Sequence, residues 1–218
     1  MKRNQSGFTL IEIAIVLVII GLLLGGVLKG QELINSAKVK NLATDFKNIP
    51  VYIYGYQDKF RALPGDDAQV DTLHLAGISG VVAAASGVDG ASPGNGVLEG
   101  AWNATAKAET HLFWQHVRMA GLAAGPTDVT TDIHPTNATG GKIGIASGSN
   151  TPITGLRGTY IICSDGILGK FVKQLDITMD DGVTNTGSMM AATTVSGGAP
   201  IANANIDDAS SYLVCMGS

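Results

Sequence analysis

The N-terminal 28 residues constrain this chain more than any other segment. A short leader that carries Lys2 and Arg3 runs into an apolar stretch, residues 8–28, with one carboxylate inside it, Glu12. A helix of about 20 apolar residues is long enough to cross the hydrocarbon core of a bilayer. By the positive-inside rule, the two basic residues hold the N-terminus in the cytoplasm. We therefore expect a single-pass membrane protein whose bulk lies outside the cytoplasm.

The apolar stretch differs from a cleaved secretory signal. Such signals have a shorter apolar region, roughly 7–15 residues, followed by a small-residue cleavage site. Here Leu28 is followed by Lys29, Gln31 and Glu32, so we expect the stretch to be retained. A carboxylate within a spanning helix costs a few kcal/mol and is usually kept for a partner. Glu12 therefore predicts such a partner, with a tolerated position near the lipid headgroups as the alternative.

The order of residues from Lys2 to Glu12, KRNQSGFTLIE, resembles the leader and start of type IV prepilins and of the related type II secretion pseudopilins. The resemblance implies that a prepilin peptidase cuts after Gly7 and that the new N-terminal amine, on Phe8, is methylated. It also implies that Glu12 pairs with the N-terminal amine of an adjacent subunit during assembly. An ion pair in a low dielectric is costly to break, so it can set the register of packed helices.

An amphipathic pattern continues the apolar stretch, and it favours one helix from Phe8 to about Phe60. At 1.5 Å per residue, this helix is about 80 Å long. Pro50 removes one backbone hydrogen bond inside it and predicts a kink. Pro64 and Gly65 should end it, because Pro64 disfavours helix before it and Pro-Gly suits a turn with positive φ at the glycine. The apolar stripe consists of Ile34, Ala37, Leu42, Phe46, Ile49, Ile53, Tyr56 and Phe60.

The remaining residues, 63–218, predict a globular head. Residues 109–122 have a helical pattern, whereas residues 158–163 and 211–215 have strand character and are expected to pair in one antiparallel sheet. Residues 168–175 are ambiguous between helix and strand. Three stretches rich in glycine and small polar residues predict long loops. They are residues 77–100, 136–158 and 182–205.

The expected fold is α+β, with the lollipop form of a type IV pilin. In that form, a long N-terminal helix, part transmembrane and part amphipathic, packs on a C-terminal antiparallel β-sheet head. The predicted segments are a leader that is removed (1–7), a transmembrane and assembly helix (8–28), its amphipathic continuation (29–62) and the extracytoplasmic head (63–218).

Cys163 and Cys215 are the two cysteines of the chain. Both fall in the part that we expect in an oxidising compartment, where disulfides form and persist. The natural interpretation is a disulfide, with two separate buried thiols as the alternative. Closing a loop of 52 residue steps would stabilise the head by about 4 kcal/mol in the chain-entropy model. In type IV pilins a C-terminal disulfide commonly brackets a variable surface region, and this pair has that placement.

Charge and motifs argue against nucleic-acid binding and catalysis. The formal net charge is −4, and loss of the leader with Lys2 and Arg3 leaves 12 basic residues (14 less two) against 18 acidic ones. This balance provides no electrostatic footprint for DNA, so we predict no nucleic-acid partner. The sequence also lacks the Gly-x-Ser-x-Gly, His-Glu-x-x-His and phosphate-loop motifs. We therefore expect no enzymatic activity.

Two oxygen-rich segments are candidates for calcium, a cation that some relatives of the resembled family bind in such loops. The first segment lacks the EF-hand spacing. We expect its carboxylates to cap exposed backbone amides in turns, so no cofactor is predicted and calcium is the alternative. The candidates are Asp176, Thr178, Asp180 and Asp181 before Gly182, and Asp89, Asn95 and Glu99 in a glycine-rich loop.

The resemblance extends, less specifically, to residues 63–67, to the helix with Phe113 and Trp114, and to residues 176–182, which are similar to Gram-negative prepilin-like proteins. It implies a structural subunit of a type IV pilus. Such a subunit is held in the inner membrane with its head in the periplasm. The inner-membrane assembly machinery then polymerises it into an extracellular homo-oligomeric filament for adhesion, motility or DNA uptake. The alternatives are a type II secretion pseudopilin and a ligand-binding minor pilin at the filament tip.

Overall fold

The computed structural model describes residues 9–105, 107–193 and 196–218. The chain forms two compact units, an N-terminal unit up to Lys38 and a head unit that begins at Val39. The predicted cleavage and methylation positions, Gly7 and Phe8, lie outside the described residues.

The first helix, α1, is Leu10–Phe60 and contributes to both units. Its helical conformation continues through Pro50, and the kink expected there stays a prediction. Within the head unit its apolar stripe is buried, as the periodicity predicts. The buried residues of α1 are Val39, Leu42, Ala43, Phe46, Ile49, Ile53 and Tyr56. Ile34 and Ala37, the first two members of the predicted stripe, belong to the N-terminal unit and are exposed.

The turn after α1 forms where the sequence predicts it. Gly65 has a φ of +93°, in the left-handed region that favours glycine. A Cβ atom on Gly65 would lie 2.3 Å from the carbonyl oxygen of Glu109, so this turn also needs glycine for close approach. The Gly65 amide donates a hydrogen bond of 2.9 Å to Nδ1 of His116. The turn is thereby fastened to the second helix of the head.

A four-stranded antiparallel sheet forms the centre of the head. Its strands are β1 (Ile143–Ser147), β2 (Tyr160–Leu168), β3 (Met189–Ala192) and β4 (Ser211–Gly217), in the spatial order β1-β2-β4-β3. The predicted pairing of the two cysteine-bearing strands is confirmed, because Cys163 in β2 lies opposite Cys215 in β4. Together with α1, this sheet confirms the α+β class and the long N-terminal helix.

Two strands lie in stretches for which the sequence predicts loops, and those predictions were wrong. β1 falls within residues 136–158 and β3 within residues 182–205. All residues of both strands are buried, and their sequences, IGIAS and MMAA, contain glycine and alanine, which are depleted in strands. These two segments form strands because they are buried between two covering layers, and not because their residues have a high local strand propensity.

Two further helices complete the head. The helix predicted at residues 109–122 is α2, Glu109–Met119, and it ends before Gly121, which has a φ of +79°. The ambiguous segment becomes α3, Gly169–Met179.

Residues of the sheet alternate between two apolar clusters. Ile162 and Val214 face the larger cluster, which includes Phe46 of α1, Phe113 of α2 and Phe171 of α3. The next residues along the same strands, Cys163 and Cys215, face a second cluster with Trp102 and Ile153. Because both faces are covered, the two central strands are buried on both sides.

Candidate assembly site

The start of α1 contains a reciprocal pair of hydrogen bonds. Thr9 directly precedes the helix, and its backbone N–H donates to Oε2 of Glu12 at 2.8 Å. In return, the Glu12 N–H donates to Oγ1 of Thr9 at 3.3 Å, and the Thr9 hydroxyl donates to Oε2 at 2.6 Å. This geometry is a capping box, which satisfies two of the amides that a helix leaves unpaired at its N-terminus.

The capping box gives Glu12 a role that our sequence analysis missed. The signal was present as the spacing Thr9-x-x-Glu12 just before an apolar run. Oε1 of Glu12 takes part in none of the three bonds to Thr9. A carboxylate has about four acceptor positions, so the cap leaves capacity for a second donor.

The surface of α1 that follows Glu12 is apolar and uncovered. Its large apolar side chains from Leu10 to Leu28 are 46% to 93% exposed. The helix is long and apolar enough to cross a membrane, by length and composition. A contiguous exposed apolar surface of this size marks a site of interaction with a membrane or with another protein.

Glycine residues interrupt this apolar surface and leave the helix backbone uncovered there. At Gly21, Gly25, Gly26 and Gly30, no atom outside the adjacent helix backbone lies within 4 Å of the position that a Cβ would take. Small residues on membrane helices allow the backbones of neighbouring helices to approach closely. The N-terminal unit therefore has the features of a helix that packs against like helices.

Cys163 and Cys215 form a disulfide, with their Cα atoms 4.1 Å apart. Both cysteines are buried, and they join directly opposite positions of the central strands β2 and β4. Among the described residues no cysteine is free. The disulfide ties the C-terminal strand of the head to the rest of the sheet.

The first oxygen-rich segment spans the end of α3, which contains Asp176 and Thr178, and the turn after it, which contains Asp180 and Asp181. Oδ2 of Asp180 accepts the Met189 N–H at 2.8 Å, and Oδ1 of Asp181 accepts the Val183 N–H at 2.8 Å. Asp176 is buried, and burial raises its pKa to about 6. The Asp180 and Asp181 carboxylates therefore accept backbone amides in this turn, as the sequence predicts for them.

In the second oxygen-rich segment, Asp89 lies in a turn of its own, whereas Asn95 and Glu99 contact each other. Asp89 lies in a turn with a φ of +48°. Nδ2 of Asn95 donates to Oε1 of Glu99 at 2.6 Å. Glu99 in turn lies next to two carboxylates that the sequence analysis did not associate with it, Asp66 and Glu109.

A cleft of about 920 Å³ opens beside the end of α1. Its walls include Phe60, Asp66, Asp67 and His74. Nδ1 of His74 lies 2.7 Å from Oδ2 of Asp67, so part of the wall is a hydrogen-bonded acid–imidazole pair.

Residues 2–28 match a family model described as the prokaryotic N-terminal methylation motif. The match covers the leader, the Glu12 position and most of the exposed apolar surface of α1. Comparison with curated proteins and with solved structures found no match. The N-terminal segment singled out by the sequence is therefore the segment that matches this family model.

Proposed function

Since its N-terminal methylation motif and long apolar helix make this chain type IV prepilin-like, we propose that it is a structural subunit of a type IV pilus. The motif implies processing by a prepilin peptidase and assembly in a membrane. In this proposal the peptidase cleaves after Gly7, Phe8 is methylated, and the head reaches the periplasm. The processed chains then polymerise through α1 into an extracellular filament.

The uncovered apolar surface from Leu10 to Leu28 is the observation that carries this proposal. In a membrane, lipid covers it. When the subunit leaves the bilayer, that surface meets water, and burial of each large apolar side chain is worth about 1.5–3 kcal/mol. In the filament core, the same helices of neighbouring subunits bury this apolar surface in place of lipid. The proposal therefore explains why the apolar segment is not removed together with the leader.

Glu12 sets the register of the assembled helices in this proposal. The Thr9 cap holds Oε2, and Oε1 takes the methylated amine of the adjacent subunit. A charge in an apolar filament core without its partner costs several kcal/mol, so chains that dock out of register are rejected.

The test is Glu12→Ala. We expect the variant to be processed and to remain in the membrane, but to be absent from filaments sheared from the cell surface. Glu32→Ala is the matched control, because Glu32 lies on the same helix and makes an exposed ion pair with Lys29. Glu32→Ala should assemble normally. Normal filament yield from Glu12→Ala would refute the proposed role.

Intact mass spectrometry of the sheared fraction tests the subunit type. A dominant species that begins at methylated Phe8 supports a major pilin. The N-terminal motif is equally that of pseudopilins, and processed protein found only in the membrane fraction would instead support a pseudopilin or a minor pilin.

A further inference from the structure

Three carboxylates from distant parts of the sequence meet in the head. Asp66 lies in the turn after α1, Glu99 lies in the glycine-rich loop, and Glu109 is the first residue of α2. One oxygen atom of each lies within 4.8 Å of the others. Asp66 is 2% exposed and Glu109 is fully buried, whereas Glu99 is partly exposed.

The backbone holds Asp66 in place. Oδ1 of Asp66 accepts the amides of Gly94 at 2.5 Å and Asn95 at 3.3 Å, and Oδ2 accepts the amide of Gly96 at 2.7 Å. The glycine-rich loop is therefore wrapped around the Asp66 carboxylate, which brings Glu99, three residues further along, to the same place.

Glu109 is incompletely satisfied. Its Oε2 accepts the backbone N–H of Glu99 at 2.9 Å. Its Oε1 is buried and accepts no hydrogen bond from a donor group of the described residues, and the Glu109 and Glu99 carboxyl groups hydrogen-bond to each other when they share a proton. An unpaired buried carboxylate oxygen is costly, and the cost rises with two further carboxylates beside it. The ion pairs described in the head use other carboxylates, those of Asp67, Asp132 and Asp208.

The charge of this cluster calls for a cation or a proton. A proton neutralises one carboxylate and leaves two charges in contact. A divalent cation neutralises two and supplies the missing partner of the buried oxygen.

The geometry points to a calcium ion, and we propose that Asp66, Glu99 and Glu109 form a calcium site in the head. Calcium takes oxygen ligands at about 2.3–2.6 Å, so ligands on opposite sides of the ion lie roughly 4.6–5.2 Å apart. Three oxygen atoms within 4.8 Å of one another fit within one such shell. Asp66, Gly94 and Gly96 also line the 920 Å³ cleft, which offers a route of entry from solvent.

The bound ion would link the turn after α1, the glycine-rich loop and the start of α2. Extracellular calcium modules bind with dissociation constants of about 0.1–1 mM. A site of this class fills outside the cell and stays empty in the cytoplasm, so calcium stabilises the head only after export. This site acts on the head alone and does not rest on filament assembly.

The experiment uses the full chain in detergent at pH 7.5. Calorimetric titration with calcium chloride should show one bound ion per chain. Thermal unfolding followed by tryptophan fluorescence reports on the head, because Trp102 and Trp114 are both buried there. Calcium should raise the unfolding midpoint of the wild-type chain.

Two variants and one control make the test specific. Glu109→Gln and Glu99→Gln should each weaken calcium binding at least tenfold and remove the midpoint shift. Because Glu99 is partly exposed, we expect Glu99→Gln to fold like the wild type. Asp181→Asn alters the other acidic loop and should bind calcium like the wild type. The proposal is overturned if the wild type binds no calcium, if both glutamine variants bind it as tightly as the wild type, or if only Asp181→Asn loses it.

Discussion

The hydroxyl of Tyr56, near the end of α1, donates a hydrogen bond of 2.8 Å to Oδ2 of Asp67, in the turn that follows the helix. Tyr56 is fully buried and Asp67 is 2% exposed. Burial, together with the Asp67 carboxylate, raises the pKa of the Tyr56 hydroxyl. The hydroxyl therefore remains a donor across the physiological pH range. This bond fastens the end of α1 to the turn that follows it.

Loss of this bond should destabilise the head. A hydrogen bond to a charged group is worth about 1.5–3 kcal/mol, so Tyr56→Phe should lower the free energy of unfolding by that amount. The measurement is denaturant unfolding of the full chain in detergent, followed by tryptophan fluorescence. Tyr54→Phe is the control, because Tyr54 is 61% exposed, and it should change stability by less than about 0.5 kcal/mol. Equal effects of the two substitutions would contradict the assignment.

Gly65→Ala should be one of the most damaging small substitutions in the head. A left-handed φ costs a non-glycine residue about 1–3 kcal/mol, and the new Cβ would also overlap the Glu109 carbonyl oxygen. Gly77→Ala separates the two causes, because Gly77 has a φ of +86° and open space around it. In the same unfolding assay, Gly65→Ala should cost clearly more than Gly77→Ala. Similar losses would mean that the backbone relieves the overlap.

Removal of the disulfide should cost the head about 2–5 kcal/mol. The measurement compares the unfolding midpoint of the oxidised wild type with that of a chain carrying Cys163→Ala and Cys215→Ala. Reduction of the wild type provides the control, since a reductant should lower its midpoint and leave that of the double variant unchanged. If neither reduction nor the double substitution lowered the unfolding midpoint, the pairing of β2 and β4 would be sufficient to stabilise the head without the disulfide.

Without calcium, the contribution of Glu109 to the stability of the head should be lost as the pH rises from about 6 to 8. Glu109 has a folded-state pKa raised to about 8 from an ordinary value of 4.5. The folded chain therefore holds a proton that the unfolded chain releases, and this contribution is lost as the pH approaches 8. Asp45 and Asp176, with pKa values raised to about 6, act in the same direction at lower pH.

The control for this pH dependence is Glu109→Gln, which carries no titrating group at that position. Its unfolding midpoint should vary less between pH 6 and 8 than that of the wild type, with a chelator present in both samples. A wild-type profile that rises with pH over this interval, or one that the substitution leaves unaltered, would contradict the prediction.

Much of the architecture could be predicted because it depends on local signals. The helix α1 follows a stripe of apolar residues with helical spacing, and its end follows Pro64 and Gly65. The strand around Cys163 and the strand around Cys215 contain β-branched and aromatic residues next to turn residues. The capping box of Thr9 and Glu12 was equally readable, because both of its members lie within one helical turn.

The sequence by itself determined the N-terminal motif, the long helix and the turn that ends it, because each depends on residues that are neighbours along the chain. Only the tertiary structure decided that IGIAS and MMAA become strands, since burial between two apolar clusters outweighs their weak local preference. It also decided that Asp66, Glu99 and Glu109 meet. Their separation along the chain carries no period or motif, and the wrapping of a glycine-rich loop around one buried carboxylate brings them together.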